Sequence, residues 1–351
     1  MESWKSTIIS PEKTIIDTIK VIESSNPVLT ALVVDENQRL LGTVTDGDVR
    51  RGILNRIPMD APVSKIMHTN PITFTQHAGP EKVNATLRKH PTCRAIPILD
   101  SDGRIVDLIL KKNLFEDKIL NPVFIMAGGL GTRLRPLTND CPKPMLPVGN
   151  KPILEIILNN FIESGFSNFY ISVNYKAKMI EEYFGDGSNK NVSITYLKEK
   201  KRLGTAGSLS LLESIPNEPV IVMNGDLLTK VNFSQLIDFH KSSGAMATLC
   251  VRKHDLQIPF GVAEVDNCRL TGLEEKPVNS MFINAGIYAL NADAIKMIPP
   301  NEYYDMTDLF SKLLRQDKQP AVFPVREYWL DIGRISEYEK AGEVYPTLFE
   351  S

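Results

Sequence analysis

The residues best suited to hold a polyanion are Gly128, Gly129 and Gly131, followed by Thr132-Arg133 and then by Pro142-Lys143-Pro144. Glycine lets backbone N–H groups approach a ligand closely and tolerates positive φ. Successive N–H groups in such a loop form a concave anion site. Arg133 and Lys143 add permanent positive charge beside it. The apolar run Val123-Phe124-Ile125-Met126-Ala127 stops at the first glycine, which predicts a buried strand delivering the loop to a sheet edge. Two other glycine loops fit less well. A dinucleotide fingerprint needs a third glycine where Leu134 stands, and a P-loop needs a Gly-Lys pair that this stretch lacks. For the glycines by themselves, a tight structural turn after a strand is the competing reading.

Two carboxylates carry the rest of the chemistry. Asn224-Gly225-Asp226 follows the apolar run Val220–Met223. Asp226 is therefore expected at a strand's carboxyl end, on the ligand side of a sheet. Asp331 sits in Glu327-Tyr328-Trp329-Leu330-Asp331-Ile332-Gly333. Each alone would suit a turn or a cap.

The string from Val123 to Pro144 resembles the signature of the sugar-1-phosphate nucleotidyltransferases. That family joins a nucleoside triphosphate to a sugar 1-phosphate and releases pyrophosphate on Mg²⁺. The resemblance covers essentially all of residues 122–334. It implies nucleotide contacts from Ala127, Gly128, Gly129, Gly131, Thr132, Gly204 and Thr205. It implies that Arg133 neutralises the leaving pyrophosphate and Lys143 the attacked α-phosphate. Asp226 and Asp331 match the family's metal-binding aspartates and together suggest one Mg²⁺ site. Magnesium takes one or two carboxylates and completes its shell with phosphate oxygens and water; here it would bridge the α-phosphate and the sugar phosphate. The nucleophile would be a sugar-phosphate oxygen, largely ionised at neutral pH because its second pKa is about 6. No general base is then required, and no histidine falls in these motifs. His240 and His254 are read as surface residues.

On the sugar side, Pro259-Phe260-Gly261-Val262, Glu274-Glu275-Lys276-Pro277 and Asn284-Ala285-Gly286-Ile287-Tyr288 resemble family motifs. They imply that Gly261 and Asn284 meet sugar hydroxyls, that Glu275 accepts from them, and that Lys276 pairs with the sugar phosphate. A solvated charge pair in a turn is the competing reading of Glu275 and Lys276. The base is addressed by Glu199, five positions before Gly204. Pyrimidine-specific relatives commonly carry glutamine there, whereas guanylyl relatives carry glutamate with Leu-Gly-Thr-Ala-Gly, as at Leu203–Gly207 here. A carboxylate only accepts hydrogen bonds. Guanine offers it two adjacent donors; uracil and thymine offer one donor beside acceptors. GTP is the expected donor, with an exposed Glu199 of no ligand role as the alternative. A uridylyl- or thymidylyltransferase and an inactive sugar-nucleotide sensor are the competing functions.

The elements that must position these residues alternate after Asn121. Strands are expected at Val123–Ala127, Asn168–Val173, Ser193–Leu197 and Val220–Met223, and helices at Ile153–Ser164, Ala177–Phe184 and Thr205–Ser214. That alternation predicts an α/β, Rossmann-like, mostly parallel sheet with helices on both faces. The first 118 residues differ. A helix at Ile15–Ile22, strands at Leu29–Val34 and Leu40–Thr45 and a helix from Asp46 are echoed by a helix near Lys82–Lys89, strands at Ala95–Leu99 and Ile105–Leu110, and a helix after Lys112. A repeat of roughly 60 residues implies two βαββα-like units packed together. Gly42-Thr43-Val44-Thr45-Asp46-Gly47-Asp48 resembles the closing motif of a CBS domain, an α+β module that binds adenine nucleotides in many proteins. Thr45 and Asp48 would then hold phosphate and ribose. In the second copy Leu110 and Asn113 take their places, so at most one strong nucleotide site is expected, with packing or oligomerisation alone as the alternative. The domains are expected at 1–118 (copies of about 1–58 and 62–118) and 119–351. A CBS pair ahead of such a transferase also resembles the glucosamine-1-phosphate guanylyltransferases of legionaminic acid pathways.

Bulk properties narrow the partners. The 351 residues are 42% hydrophobic and 23% charged, with a net charge of −2, which gives no support for nucleic-acid or membrane binding. No apolar run approaches the ~20 residues needed to span a bilayer. The first residues lack the apolar core of a signal peptide. Cys93, Cys141, Cys250 and Cys268 have no CxxC spacing, which argues against structural zinc and a disulfide framework. The expectation is a cytoplasmic homo-oligomer acting on GTP and a sugar 1-phosphate.

Overall fold

The alternation of apolar runs is realised as two units, Met1–Asp117 and Lys118–Ser351. The computed structural model describes residues 3–25, 28–76, 83, 86, 90, 95–110 and 119–349. Among these, no helix is long and apolar enough to cross a membrane.

The first unit is a repeat. Its first copy runs β1 (Ile8–Ile9), α1 (Ile15–Ser24), β2 (Thr30–Val34), β3 (Leu40–Thr45) and α2 (Asp46–Leu54). Thr14 starts α1 by accepting the Asp17 N–H on its hydroxyl at 3.1 Å, which satisfies one of the donors a helix start leaves free. The second copy contributes β4 (Phe74–Thr75), β5 (Ala95–Leu99) and β6 (Ile105–Leu110). Each copy forms a three-stranded sheet. The two hairpin turns use the same chemistry. Asp35 Oδ1 accepts from the N–H groups of Asn37 and Arg39 at 2.8 and 2.9 Å, and Asp100 Oδ1 from Asp102 and Arg104 at 2.9 and 2.8 Å. Of the helix expected near Lys82–Lys89 only Val83 and Thr86 are described, both helical; the helix expected after Lys112, with Asn113, and Cys93 lie outside the described residues.

The second unit is built on a seven-stranded sheet. Its strands are β7 (Val123–Met126), β10 (Asn168–Val173), β11 (Ser193–Lys198), β12 (Val220–Asn224), β14 (Ala247–Gln257), β17 (Val278–Leu290) and β18 (Ala321–Val325). They lie in the order β11-β10-β7-β12-β17-β14-β18. Four of the six pairings are parallel; β17 runs antiparallel to both its neighbours. Short strands pair outside this sheet: β8 (Pro147–Val148) with β9 (Lys151–Pro152), and β13 (Leu227–Thr229) with β19 (Trp329–Asp331). Beyond the sheet, β14 and β17 run on into an arm tipped by the hairpin β15 (Gly261–Asp266) and β16 (Arg269–Glu275).

Both sheet faces are covered, because successive strand residues point opposite ways. In β7 and β12, Val123, Ile125, Ile221 and Met223 enter one core, while Phe124, Val220 and Val222 enter the other. The first core is filled by α3 (Ile153–Glu163), α4 (Ala177–Phe184), α6 (Phe233–Ser243) and α9 (Ile335–Leu348). The second takes α5 (Gly204–Gly207), α7 (Ala292–Ile295) and α8 (Met306–Arg315). Helix α3 shows why such segments fold. Ile153, Leu154, Ile156, Ile157, Leu158 and Phe161 bury one side, and Gly165 at φ +90° ends it with the Phe166 N–H donating to Phe161 O at 3.1 Å.

Two expectations are corrected. The helix expected over Thr205–Ser214 is one turn at Gly204–Gly207 followed by a 3₁₀ turn at Ser208–Leu211. Ser210 Oγ donates to Gly207 O at 2.7 Å, so a side chain competes for a carbonyl that a longer helix would use. His240 is not a surface residue. It is 1% exposed, on the buried side of α6 with Phe233, Leu236 and Ile237, and its ring nitrogens meet Thr248 Oγ1 and Asn291 Oδ1 at 2.8 and 2.9 Å. His254 is exposed.

Candidate active site

Strand order reverses between β7 and β12: the chain goes from β7 to β10 and β11 on one side, then returns to β12 on the other. Ligands of open α/β sheets sit at such a switch point, beyond the carboxyl ends of the strands. The glycine loop follows β7 there, and Asn224-Gly225-Asp226 ends β12. Gly225 presses against the end of β7: its N–H donates to Met126 O at 2.9 Å, and a Cβ would stand 2.7 Å from that oxygen. In the loop, Gly131 has φ +63°, and a Cβ would lie 2.9 Å from Thr138 Cγ2. Gly129 faces open space. Thr132 and Arg133 are exposed at the rim.

Asp226 and Asp331 are brought together by the β13–β19 ladder. Leu227 stands opposite Asp331, and the Ile332 N–H donates to Asp226 O at 3.0 Å. Lys143 is buried and forms an ion pair with Asp226 Oδ2. Arg133 closes the group from the loop. A Cβ on Gly333 would lie 3.6 Å from Arg133 Nη1 and 3.8 Å from Asp331 Oδ1. Burial, and then the charge of Asp226, push Asp331 above the usual carboxylate range, while Lys143 and Arg133 pull against them. Asp226 Oδ1, Asp331 Oδ1 and Asn224 Oδ1 are buried without a hydrogen-bond partner. Orphaned acceptors beside two like charges form a donor set that suits a hard cation. Among the described residues no cluster of three or more His, Cys, Asp or Glu is placed to hold a metal. A two-carboxylate set fits magnesium better than a metal that demands a full protein cage.

Across the crevice, Glu199 is held on both oxygens. Ser172 donates its hydroxyl to Oε1, and the Leu203 N–H donates to Oε2 at 3.1 Å. Gly128 makes room for it: a Cβ there would sit 2.7 Å from Oε1. One residue of the loop is thus glycine for the sake of the carboxylate. Gly204 and Thr205 lie in the turn that follows. The hydroxyl and N–H of Thr205 both donate to Asp305 Oδ1, so its donors are committed within the chain.

The sugar-side residues form a separate group. Gly261 and Glu275 stand opposite one another in β15–β16, with Lys276 beside them at φ +49°. Among the described residues no hydrogen bond or ion pair joins this trio to the aspartates. Asn284 links the arm to the crevice: its Oδ1 accepts from the Gly286 N–H at 2.8 Å and its amide donates to Tyr288 Oη at 2.9 Å. A Cβ on Gly286 would meet Asn224 at 2.7 Å. In the first unit, Thr45 and Asp48 meet each other. The Thr45 N–H and hydroxyl donate to Asp48 Oδ2 at 2.8 and 2.7 Å, and Arg51 pairs with Oδ1, so the two residues start α2 as a capping box. Thr45 lies opposite Thr30 as Leu110 lies opposite Ala95, which makes them equivalent positions.

Sequence reasoning passed over Asn224, Ser172 and Asp305. Ser172 had a signal: it is the one hydroxyl among the buried residues Phe169, Ile171 and Val173 of β10. Asp305 had another, since Asp305 and Asp308 are spaced as a helix-start pair.

Residues 122–347 match the family described as nucleotidyl transferase, and residues 4–55 and 63–117 match the CBS domain. A UTP–glucose-1-phosphate uridylyltransferase of Synechocystis sp. is 32% identical over 237 residues, 62% of this chain and 61% of that protein. A mannose-1-phosphate guanyltransferase of Schizosaccharomyces pombe is 34% identical over 223 residues, 61% of each chain. The chain thus spans about 61% of the length of these curated relatives. The crystal structure of HddC from Yersinia pseudotuberculosis superposes with a TM-score of 0.52 and 26% identity, covering 64% of this chain and 100% of that one.

Proposed function

The chain belongs to the nucleotidyl transferase family, with a CBS pair ahead of that domain, and on this footing we propose that it transfers a guanylyl group from GTP to a sugar 1-phosphate. The products would be a GDP-sugar and pyrophosphate. The observation that carries the reading is the gathering of Arg133, Lys143, Asp226 and Asp331 at the β7–β12 switch point.

The residues divide the work by charge. Arg133, exposed on the loop, meets the pyrophosphate that leaves. Lys143 is already fixed by Asp226, so it meets the α-phosphate without a search for position. Asp226 and Asp331 would hold Mg²⁺, which when bound neutralises phosphate charge and aligns the two polyanions. The sugar phosphate brings its own ionised oxygen, so no residue need remove a proton. Glu199 selects the base. Its two oxygens offer about four acceptor positions, of which Ser172 and Leu203 take two. The remainder suit the paired donors of guanine. On the arm, Gly261, Glu275, Lys276 and Asn284 would receive the sugar phosphate.

Pyrophosphate release from ATP, GTP, UTP and dTTP, each with glucosamine, glucose and mannose 1-phosphates, tests this. Turnover greatest with GTP is expected. Preference for UTP or dTTP overturns the assignment of the base. No turnover with any pair overturns the activity and favours a sensor.

A further inference from the structure

The turn after Glu199 is strapped down by a segment from a hundred positions later. The Thr205 N–H and hydroxyl donate to Asp305 Oδ1 at 2.8 and 3.0 Å, and Thr205 Oγ1 accepts from the Met306 N–H at 2.9 Å. The N–H groups of Ala206 and Gly207 both donate to Tyr304 O at 2.9 Å, and the Tyr304 N–H donates to Leu203 O at 2.9 Å. The strap lies so close that side chains are excluded beneath it. A Cβ on Gly204 would stand 2.7 Å from Tyr304 O and 2.8 Å from Asp305 Oδ1, and one on Gly207 2.4 Å from Glu302 O. These two glycines therefore serve the strap. Asp305 itself is fixed by Tyr303, whose hydroxyl donates to Oδ2 at 2.9 Å. Its burial would raise its carboxyl, but the bonds from Thr205 and Tyr303 and the charge of Arg202 outweigh it and hold the group below its usual range.

The free end of this strapped turn is the Leu203 N–H, and it points at Glu199 Oε2. The geometry points to Asp305 as a positioning residue for nucleotide choice: by fixing Thr205 and the turn it aims the Leu203 N–H, and so sets the carboxylate of Glu199. The inference rests on the reading of Glu199 as the residue that meets the base. Asp305 acts through the turn, its carboxylate being taken up by Thr205 and Tyr303. A side chain that merely capped α8 would alter stability and leave the choice between nucleotides alone.

The experiment is steady-state pyrophosphate release by the full chain with GTP or UTP, with glucosamine, glucose and mannose 1-phosphates supplied together. Asp305→Ala is expected to lower the GTP-to-UTP ratio of kcat/KM about tenfold, through KM for GTP with kcat little changed, since it frees bonds that act together on one turn. Asp305→Asn keeps an oxygen for Thr205 and is expected to restore most of the ratio. Adding Asp305→Ala to Glu199→Ala should cost no further selectivity, because both act through one carboxylate. If Asp305→Ala does not fold, Thr205→Val removes the hydroxyl link from the other side and should shift the ratio the same way. Equal losses with both nucleotides, or an additive double variant, would overturn the role of Asp305 while leaving Glu199 in place. An unchanged ratio in Glu199→Ala overturns the reading of Glu199, and this inference falls with it. No turnover in wild type overturns the activity itself, and the inference with it.

Discussion

The two aspartates of the crevice should respond to Asp→Asn in opposite directions when no metal is present. Asp226 supports a buried cation. The Lys143 side chain is 10% exposed and that of Asp226 24%, so their ion pair is largely shielded from water. Asn at 226 leaves the ammonium a neutral acceptor in place of a charge. A hydrogen bond to a charged group is worth about 1.5–3 kcal/mol. At about 2–4 °C per kcal/mol for a domain of this size, the melting temperature should fall by about 3–12 °C. Asp331 supports nothing of the kind. Its Oδ1 has no partner, and burial and the charge of Asp226 raise its carboxyl. A carboxyl raised in the folded state contributes stability when protonated, below its unfolded value, and loses it as pH rises through the folded value. At neutral pH, above its unfolded value, the Asp331 carboxyl is therefore a strain on the metal-free fold. Asn at 331 removes the titrating group at constant shape, so its melting temperature should equal or exceed that of wild type, without the decline on raising pH.

Differential scanning calorimetry in EDTA and in Mg²⁺ reads both effects on the full chain. Wild type at a magnesium concentration about 100 times its Kd gains about 2.7 kcal/mol, or about 5–11 °C. Both variants should lose that gain and nearly all turnover. An Asp331→Asn protein that melts as early as Asp226→Asn would sink the argument, because it would mean that Asp331 is a structural anion.

Glu199→Gln keeps the Ser172 contact on one oxygen but adds a donor facing guanine's own donors; discrimination for GTP over UTP should fall by about 1–3 kcal/mol, measured as the ratio of kcat/KM. His240→Ala should lower the melting temperature with kinetics unchanged. In wild type, burial holds His240 below its usual pKa; a depressed base stabilises above its unfolded value of about 6.5 and loses that stability as pH falls through the folded value, so melting in acid should be less steep in the variant. Asp48→Ala removes the capping box of α2 and should cost about 1 kcal/mol; calorimetric titration of the full chain with AMP then decides whether Asp48 also holds a ribose, since binding unaffected by the change refutes the site.

The fold was legible wherever one physical pattern acted alone. Asn168–Val173 and Ala177–Phe184 form at the expected boundaries because an apolar run or an apolar stripe meets no competing preference. The repeat in the first unit was legible from its turns, since Asp35 and Asp100 each need a short polar stretch with a residue that can accept from the backbone two and four positions on. Two features were not. His240 looked like a surface residue because imidazole is polar and α6 is only partly apolar; the buried partners Thr248 and Asn291 are 8 and 51 residues away in sequence. The arm of β14 to β17 was invisible as an element because most of it is exposed on both faces, with Leu256, Phe260, Val265, Leu270 and Leu273 all open to solvent, so no burial imposes a period on its sequence.

For the site, the difference lies between groups and their couplings. The glycine loop was legible as a loop, because three glycines within four positions end the apolar strand abruptly. That Asp226 ends a strand was legible for the same reason. That Asp331 stands beside it followed only from the family resemblance, because the ladder pairing Leu227 with Asp331 joins residues 104 positions apart, and no local pattern encodes it. The same holds for Lys143 and Asp226, 83 positions apart. The case of Gly128 goes further. Read along the chain it is one more glycine in a phosphate cradle; in the fold, the space its missing side chain leaves is filled by Glu199. The loop that would receive the triphosphate and the carboxylate that would receive the base are thus fitted to one another directly. A substitution at Gly128 should therefore disturb selection of the base, and Gly128→Ala, compared with GTP and UTP, should narrow the ratio of kcat/KM between them more than it lowers kcat with either. Equal losses of kcat with both would mean that Gly128 serves the phosphates alone.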